Sequence, residues 1–318
     1  MHLGQEIYLF FYRFGINGIW GIVICNIIMA SVIYKTLNIA YEKNISTYKR
    51  FLDEIFLENS KLRNFTNIII NIFLCATFFI MVSGFGTYLS QSFGLNQMLG
   101  SSVLALIAYI LFLNKIESFA KINNIVIPIL IIIILIIGII NILNLKEINN
   151  NIYIDKSYFW IFQAILYASY NLVLVEPVLI NLKQFLKNKK QILKISISVG
   201  IIMTILAILE FLLLANVDIS FKNLEMPLVY LIGRHFPKFT YLYGITILIA
   251  IFTTAVSVGI SFLNNINKNE KSFPQKAFIL CISSVIISQK SFSKLVENLF
   301  PLFGFLGLIQ MSFILKKK

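Results

Sequence analysis

Apolar residues run along this chain in blocks that match the thickness of a bilayer. A helix needs about 20 apolar residues to cross the hydrocarbon core. Blocks of that order recur at 16–40, 65–92, 96–114, 123–145, 158–182, 192–215, 239–264, 274–289 and 295–315, and they predict nine spans. Ahead of them, residues 4–14 make only half a span, the length of a re-entrant or truncated helix. The block at 158–182, YFWIFQAILYASYNLVLVEPVLINL, differs from the rest. It holds Tyr167, Ser169, Tyr170 and Asn171 near its middle and Glu176 directly before Pro177. An ionisable group inside a span usually faces a bundle interior or a polar cavity. Proline lacks the backbone donor, and its ring clashes with the carbonyl four residues back, here that of Val173. Together these features predict the lining of a path or site, and not a simple anchor.

Loop charge sets the expected direction. Nineteen Lys and Arg residues, from Lys35 to the closing Lys316, Lys317 and Lys318, fall on one side of the alternating spans, and eight fall on the other. This bias predicts a multi-pass protein of the plasma membrane with a cytoplasmic C-terminus. Loop length adds a second pattern. Counting the half span gives two sets of five elements, and in each set a long loop joins the second element to the third. The loop at 41–64 contains the helix-like STYKRFLDEIFLENSKL, and that at 216–238 contains the amphipathic LEMPLVYLIGRHF. Five elements per set is odd, so the sets must run in opposite orientations. The expectation is one transmembrane domain, 1–318, made of inverted halves 1–150 and 151–318. In such plans the first helix of each half is often broken and lines a midplane site.

Composition narrows the function class. The chain is 58% hydrophobic and 13% charged, with mean hydropathy +0.84, so no soluble domain is expected. The net charge of +13 lies in short loops as a topology signal, so nucleic acid is not an expected partner; the lipid bilayer is. Cys25, Cys75 and Cys281 fall in separate apolar runs and read as small core residues, not as a disulfide or metal framework. His2 and His235 are the only histidines, and no phosphate loop or metal-ligand cluster appears. The chain is therefore expected not to be an enzyme and to carry no cofactor.

Several segments in order resemble the YkvI family of bacterial membrane proteins: GQEIYLFFYRFG at 4–15, MVSGFGTYLSQSFG at 81–94, KINNIVIPILI at 121–131, ILYASYNLVL at 165–174, EMPLVYL at 225–231, IAIFTTAVSVG at 249–259 and LVENLFPLFGFLG at 295–307. The family is placed near the amino acid–polyamine–organocation and sodium-symporter superfamily. The resemblance implies an all-α, leucine-transporter-like bundle of five plus five inverted helices in the bacterial inner membrane. It also implies secondary transport of a small organic solute, amino acid or amine-like, by alternating access. Two departures stand out. The family pattern begins with a whole first helix, whereas this chain begins just before Gly4, Gln5 and Glu6, which implies a truncated first helix or a misplaced start. The Glu176-Pro177 pair is also outside the pattern, and 158–182 lacks the glycine of an unwound centre.

The candidate chemistry follows. Gly4, Gln5 and Glu6 at the first-helix centre, with Tyr167, Ser169, Tyr170 and Asn171, form the expected solute site. In a helix Tyr167, Tyr170 and Asn171 share one face; the alternative role for these polar groups is hydrogen bonding between helices. Glu6 and Glu176 are candidates for proton or ion coupling. The alternatives are a solvated Glu6 near the terminus and a Glu176 near the inner mouth, within reach of Lys183. Glu210 is expected at an interface with water. The resemblance implies that Thr253, Thr254 and Ser257 could hold Na+ as coupling ion, against the alternative of bonding to their own helix carbonyls. Gly84, Gly86, Gly304 and Gly307 are expected to permit close helix packing. The competing functional reading is a permease-like receptor or solute sensor that does not transport, or an inactive truncated remnant.

Overall fold

A long aliphatic run that crosses hydrocarbon can satisfy its backbone within its own segment only as a helix. The computed structural model describes residues 4–56, 60–114, 119–143, 158–215, 225–266, 270–290 and 292–317. Every expected span within them is helical: α2 (Ile16–Glu42), α4 (Ser60–Phe93), α5 (Gln97–Leu113), α6 (Phe119–Leu143), α7 (Phe159–Leu182), α8 (Lys189–Ala215), α10 (Thr240–Ile266), α11 (Phe273–Ile287) and α12 (Phe292–Lys316). Six of these regions are long and apolar enough to cross a membrane alone, while α5, α11 and the described apolar core of α6 are shorter. The half span is a short helix, α1 (Gln5–Phe10), followed by a 3₁₀ turn at Tyr12–Phe14. Gly15, at φ +60°, then turns the chain into α2. The two long loops carry α3 (Tyr48–Ile55) and α9 (Pro227–His235). The chain is a polytopic, all-helical membrane bundle.

Two expectations about α7 and α8 are corrected. α7 runs as one helix from Phe159 to Leu182 with Pro177 inside it, so the anticipated break in this segment is absent. Glu210 is not at a wet interface: it is buried, at 3% exposure.

The contacts divide the chain into two compact units, each drawing on both halves of the sequence. Unit one comprises Met1–Glu6, Asn71–Lys146 and Leu212–Asn298; unit two comprises Ile7–Ile70, Glu147–Phe211 and Leu299–Lys318. Some contacts within each unit pair up when a span is exchanged for the one five spans on, counting α1 as the first and leaving out α3 and α9. In unit two α2 packs along α7, and the counterpart contact joins Tyr12, just after α1, to Phe211 of α8 at 5.3 Å. In unit one α6 packs on α10; its counterpart is Gly84 of α4, against the ring of Phe292 at the start of α12. α5 packs on α10, and correspondingly Ser83 of α4 donates to the carbonyl of Ser288, at the end of α11, at 3.4 Å. α5 and α11 are each other's counterpart and pack together.

Candidate functional site

In unit two the middle of α7 is an aromatic centre. Tyr167 and Tyr170 are one helical turn apart, with ring centroids separated by 5.3 Å. Phe10, at the end of α1, meets Tyr167 at 5.3 Å and Tyr170 at 5.6 Å. Phe11 meets Tyr167 edge-on at 4.8 Å, and Phe300 of α12 stacks on Tyr170 at 4.8 Å. Such pairs add about 0.5–1.5 kcal/mol each beyond their area. The broken α1 makes this arrangement: its helix stops at Phe10, and the irregular Phe11–Gly15 stretch turns two adjacent phenylalanines onto α7.

The other polar residues of this face have local bonds. Ser169 is fully buried, and its one hydroxyl proton is shared between the Leu166 carbonyl of its own helix at 2.8 Å and the Gly304 carbonyl of α12 at 2.6 Å. Asn171 is half-buried and donates to the Tyr167 carbonyl of its own helix at 2.9 Å.

One turn further on, Glu176 is 1% exposed. It accepts a hydrogen bond from Nε2 of Gln310 on α12. The same nitrogen is 2.7 Å from the Tyr48 hydroxyl of α3. The second Glu176 oxygen, Oε1, takes no hydrogen bond among the described residues. Lys183 is directed instead to the side chain of Asn44. The picture of Glu176 reaching toward a mouth beside Lys183 is therefore replaced by a buried carboxyl–amide–phenol chain. Burial, with the Glu176 carboxyl nearby, pushes the Tyr48 hydroxyl well above the usual phenol range and keeps it a neutral group. Gln310 and Tyr48 were not among the sequence candidates. Gln310 did carry a signal, as an amide in the middle of the apolar run LFGFLGLIQMSFIL. Tyr48 carried none, since it lies in a loop helix.

In unit one, Gly4 (φ +83°), Gln5 and Glu6 are all buried. Glu6 is 8% exposed, so the alternative of a solvated terminal carboxylate does not apply. Gly4 lies under Leu228 of α9; a Cβ there would come within 2.7 Å of the Leu228 side chain. On α10, Thr253 is buried and donates to the Ala250 carbonyl at 3.2 Å, while Ser257 is exposed and donates to the Thr253 carbonyl at 2.7 Å. Thr254 is half-buried. The Thr253 and Ser257 hydroxyls thus satisfy carbonyls of their own helix.

These features can be set against known proteins. The protein YkvI of Bacillus subtilis (strain 168), whose name calls it an uncharacterized membrane protein, is 25% identical over 323 residues, covering 99% of this chain and 90% of its own length. The resemblance to the YkvI family holds along the chain. YyaD of the same organism, also described as uncharacterized, is 24% identical over 308 residues, which cover 96% of this chain and 88% of that protein. No family model matches. The YkvI-like chain is a multi-pass membrane protein, and the full-length match means that the aromatic centre and the Glu176 chain both lie within the shared region.

Proposed function

We propose that this YkvI-like chain is a secondary transporter of a small organic solute of amino-acid or amine type, coupled to a proton or Na+ and working by alternating access. The observation that carries the reading is the pair of compact units, each drawing elements from both halves of the sequence, as expected of an inverted-repeat transporter. In this reading the halves 1–150 and 151–318 are inverted copies in one transmembrane domain, and the C-terminus is cytoplasmic. The solute site proposed in unit two uses the hydroxyls of Tyr167 and Tyr170, with the Asn171 amide beside them. Glu176 is the coupling group. A buried carboxyl with a vacant oxygen, one neutral donor and no cation partner among the described residues is suited to take up and release a proton.

The test is a solute panel scored two ways: thermal stabilisation of the purified protein and uptake into proteoliposomes under a proton or sodium gradient. The expected result is a solute that does both, with Glu176→Gln retaining stabilisation and losing gradient-driven uptake. If Tyr170→Phe and Asn171→Ala leave both readouts unchanged, the assigned solute site is wrong. A solute that stabilises without any flux would establish the receptor reading in its place.

A further inference from the structure

α3 is eight residues long and lies outside the spans, yet its inner face is as buried as any span. Phe51 is 0% exposed, and Leu52 and Ile55 are each 2% exposed. The helix packs on α7. Thr47 caps its start by accepting from the Arg50 backbone N–H at 3.4 Å, and beyond its end Phe56 meets Phe313 of α12 edge-on at 5.1 Å. Lys317, past the end of α12, pairs with Glu54 at 2.9 Å and also donates to its carbonyl. The first turn of α3 supplies Tyr48, which shares Nε2 of Gln310 with the Glu176 carboxyl.

We infer that α3 is a lid over a proton site formed by Glu176, Gln310 and Tyr48, and that Glu176 exchanges its proton with the aqueous phase on this side only when α3 lifts. This deepens the transport reading above by naming the coupling ion and its door. The packed elements leave a proton as the partner for Glu176. α12 brings the neutral Gln310, and α3 brings Tyr48. Of the charged groups at this end, Glu54 is paired with Lys317 and Asp53 with Arg63 at 2.7 Å. Lys35 of α2 donates to the carbonyls of Leu315 and Lys317, and Lys183 to Asn44. The latch is a single short helix held by ion pairs at Glu54, with Lys317 and with Lys43 at 3.9 Å, by the Asp53–Arg63 pair and by one amide–phenol contact, and an element of eight residues can open locally without global unfolding. The other loop helix repeats the plan in unit one. α9 covers Gly4 at the head of α1 with Leu228, just as α3 covers α7, so each loop helix closes over the first helix of the opposite half.

The test uses the full chain in nanodiscs with Cys25, Cys75 and Cys281 replaced by alanine. A reporter, Leu52→Cys, is placed under α3, and a control, Lys49→Cys, on its exposed face; both are labelled with a charged maleimide. The reporter is expected to react about tenfold or more slower than the control, and Lys317→Gln or Tyr48→Phe to speed the reporter severalfold while leaving the control unchanged. In parallel, the infrared carbonyl band that Glu176→Gln abolishes is expected to deuterate slowly with the latch intact and faster, by a similar factor, in the latch variants. Where a latch variant does not purify, about 1 M salt, which screens the Lys317–Glu54 pair, gives the same comparison. Equal reporter and control rates, latch variants without effect, or the absence of a Glu176 band would overturn the lid. None of these readouts needs a solute, so a lid that responds in a protein with no flux would sink the transport reading alone.

Discussion

Ser169 on α7 reaches the carbonyl of Gly304 on α12 at 2.6 Å, a distance possible only because neither Gly304 nor Gly307 has a side chain. A Cβ on Gly304 would come to 2.9 Å from the Leu166 carbonyl, and one on Gly307 to 2.7 Å from the carbonyl of Ser169 itself. The hydroxyl therefore works at a helix seam. Ser169→Ala should lower stability by about 0.6 kcal/mol, the typical value for an interhelical bond in a membrane. Gly307→Ala should cost more, about 1–3 kcal/mol, because the obstacle is backbone and cannot rotate away. Reversible unfolding in mixed micelles measures both. A Ser169→Ala protein of unchanged stability but weakened solute binding would return Ser169 to the solute site.

Tyr170 combines two roles that substitution can separate. Its ring stacks on Phe300 at 4.8 Å and is 1% exposed, so the ring belongs to the packing. Tyr170→Phe keeps that ring and should leave stability within about 1 kcal/mol, while Phe300→Ala should lose about 3–5 kcal/mol as expected for a buried phenylalanine. The proposed solute role rests on the hydroxyl, so Tyr170→Phe should reduce solute-dependent stabilisation without changing the melting temperature of the solute-free protein. A large drop in that baseline would show that the hydroxyl is structural.

The division of α7 into readable and unreadable parts has a physical basis. Its length, its depth and the i, i+3, i+4 face of Tyr167, Tyr170 and Asn171 follow from apolar spacing, and the structure shows them as one helix. What spacing cannot say is which acceptor a hydroxyl or amide chooses. Asn171 bonds the Tyr167 carbonyl of its own helix, whereas Ser169 faces both Leu166 of its own helix and Gly304 of α12. Glu176 was visible as an intramembrane carboxyl, but its partners lie 134 residues further on at Gln310 and, through it, on α3. Pro177 stands inside an unbroken helix, since a proline within a span can be held by neighbouring helices. The close approaches at Gly86 and Gly304 were legible because small residues in apolar runs have few other uses.

Thr253 and Ser257 give a clean contrast on α10. Each bonds a carbonyl of its own helix, at 3.2 and 2.7 Å, and Thr253 is buried while Ser257 is exposed. Thr253→Val keeps the shape and removes the oxygen; since the lost bond is a local one, stability should change by less than about 1 kcal/mol. If coupling uses the proton at Glu176, thermal stabilisation by Na+ should be absent in wild type and in Thr253→Val alike. A sodium-dependent rise in melting temperature that Thr253→Val abolishes would move the coupling ion to α10.

The Glu176–Gln310 pair predicts a reversal of sign between single and double substitution. Gln310→Leu removes the one hydrogen-bond donor that Glu176 has among the described residues and leaves a buried carboxyl with both oxygens unmet. That should cost about 1–3 kcal/mol, the penalty for an orphaned buried polar group. Replacing both residues removes the orphan as well as the bond, and well-packed apolar substitutes for a buried polar pair are often neutral. Glu176→Leu with Gln310→Leu should therefore be more stable than Gln310→Leu alone, while losing all gradient-driven uptake. A thermodynamic cycle over the two singles and the double measures the coupling directly. A double variant less stable than either single, with energies that simply add, would mean that the two side chains do not depend on each other and that the proton site is not built from this pair.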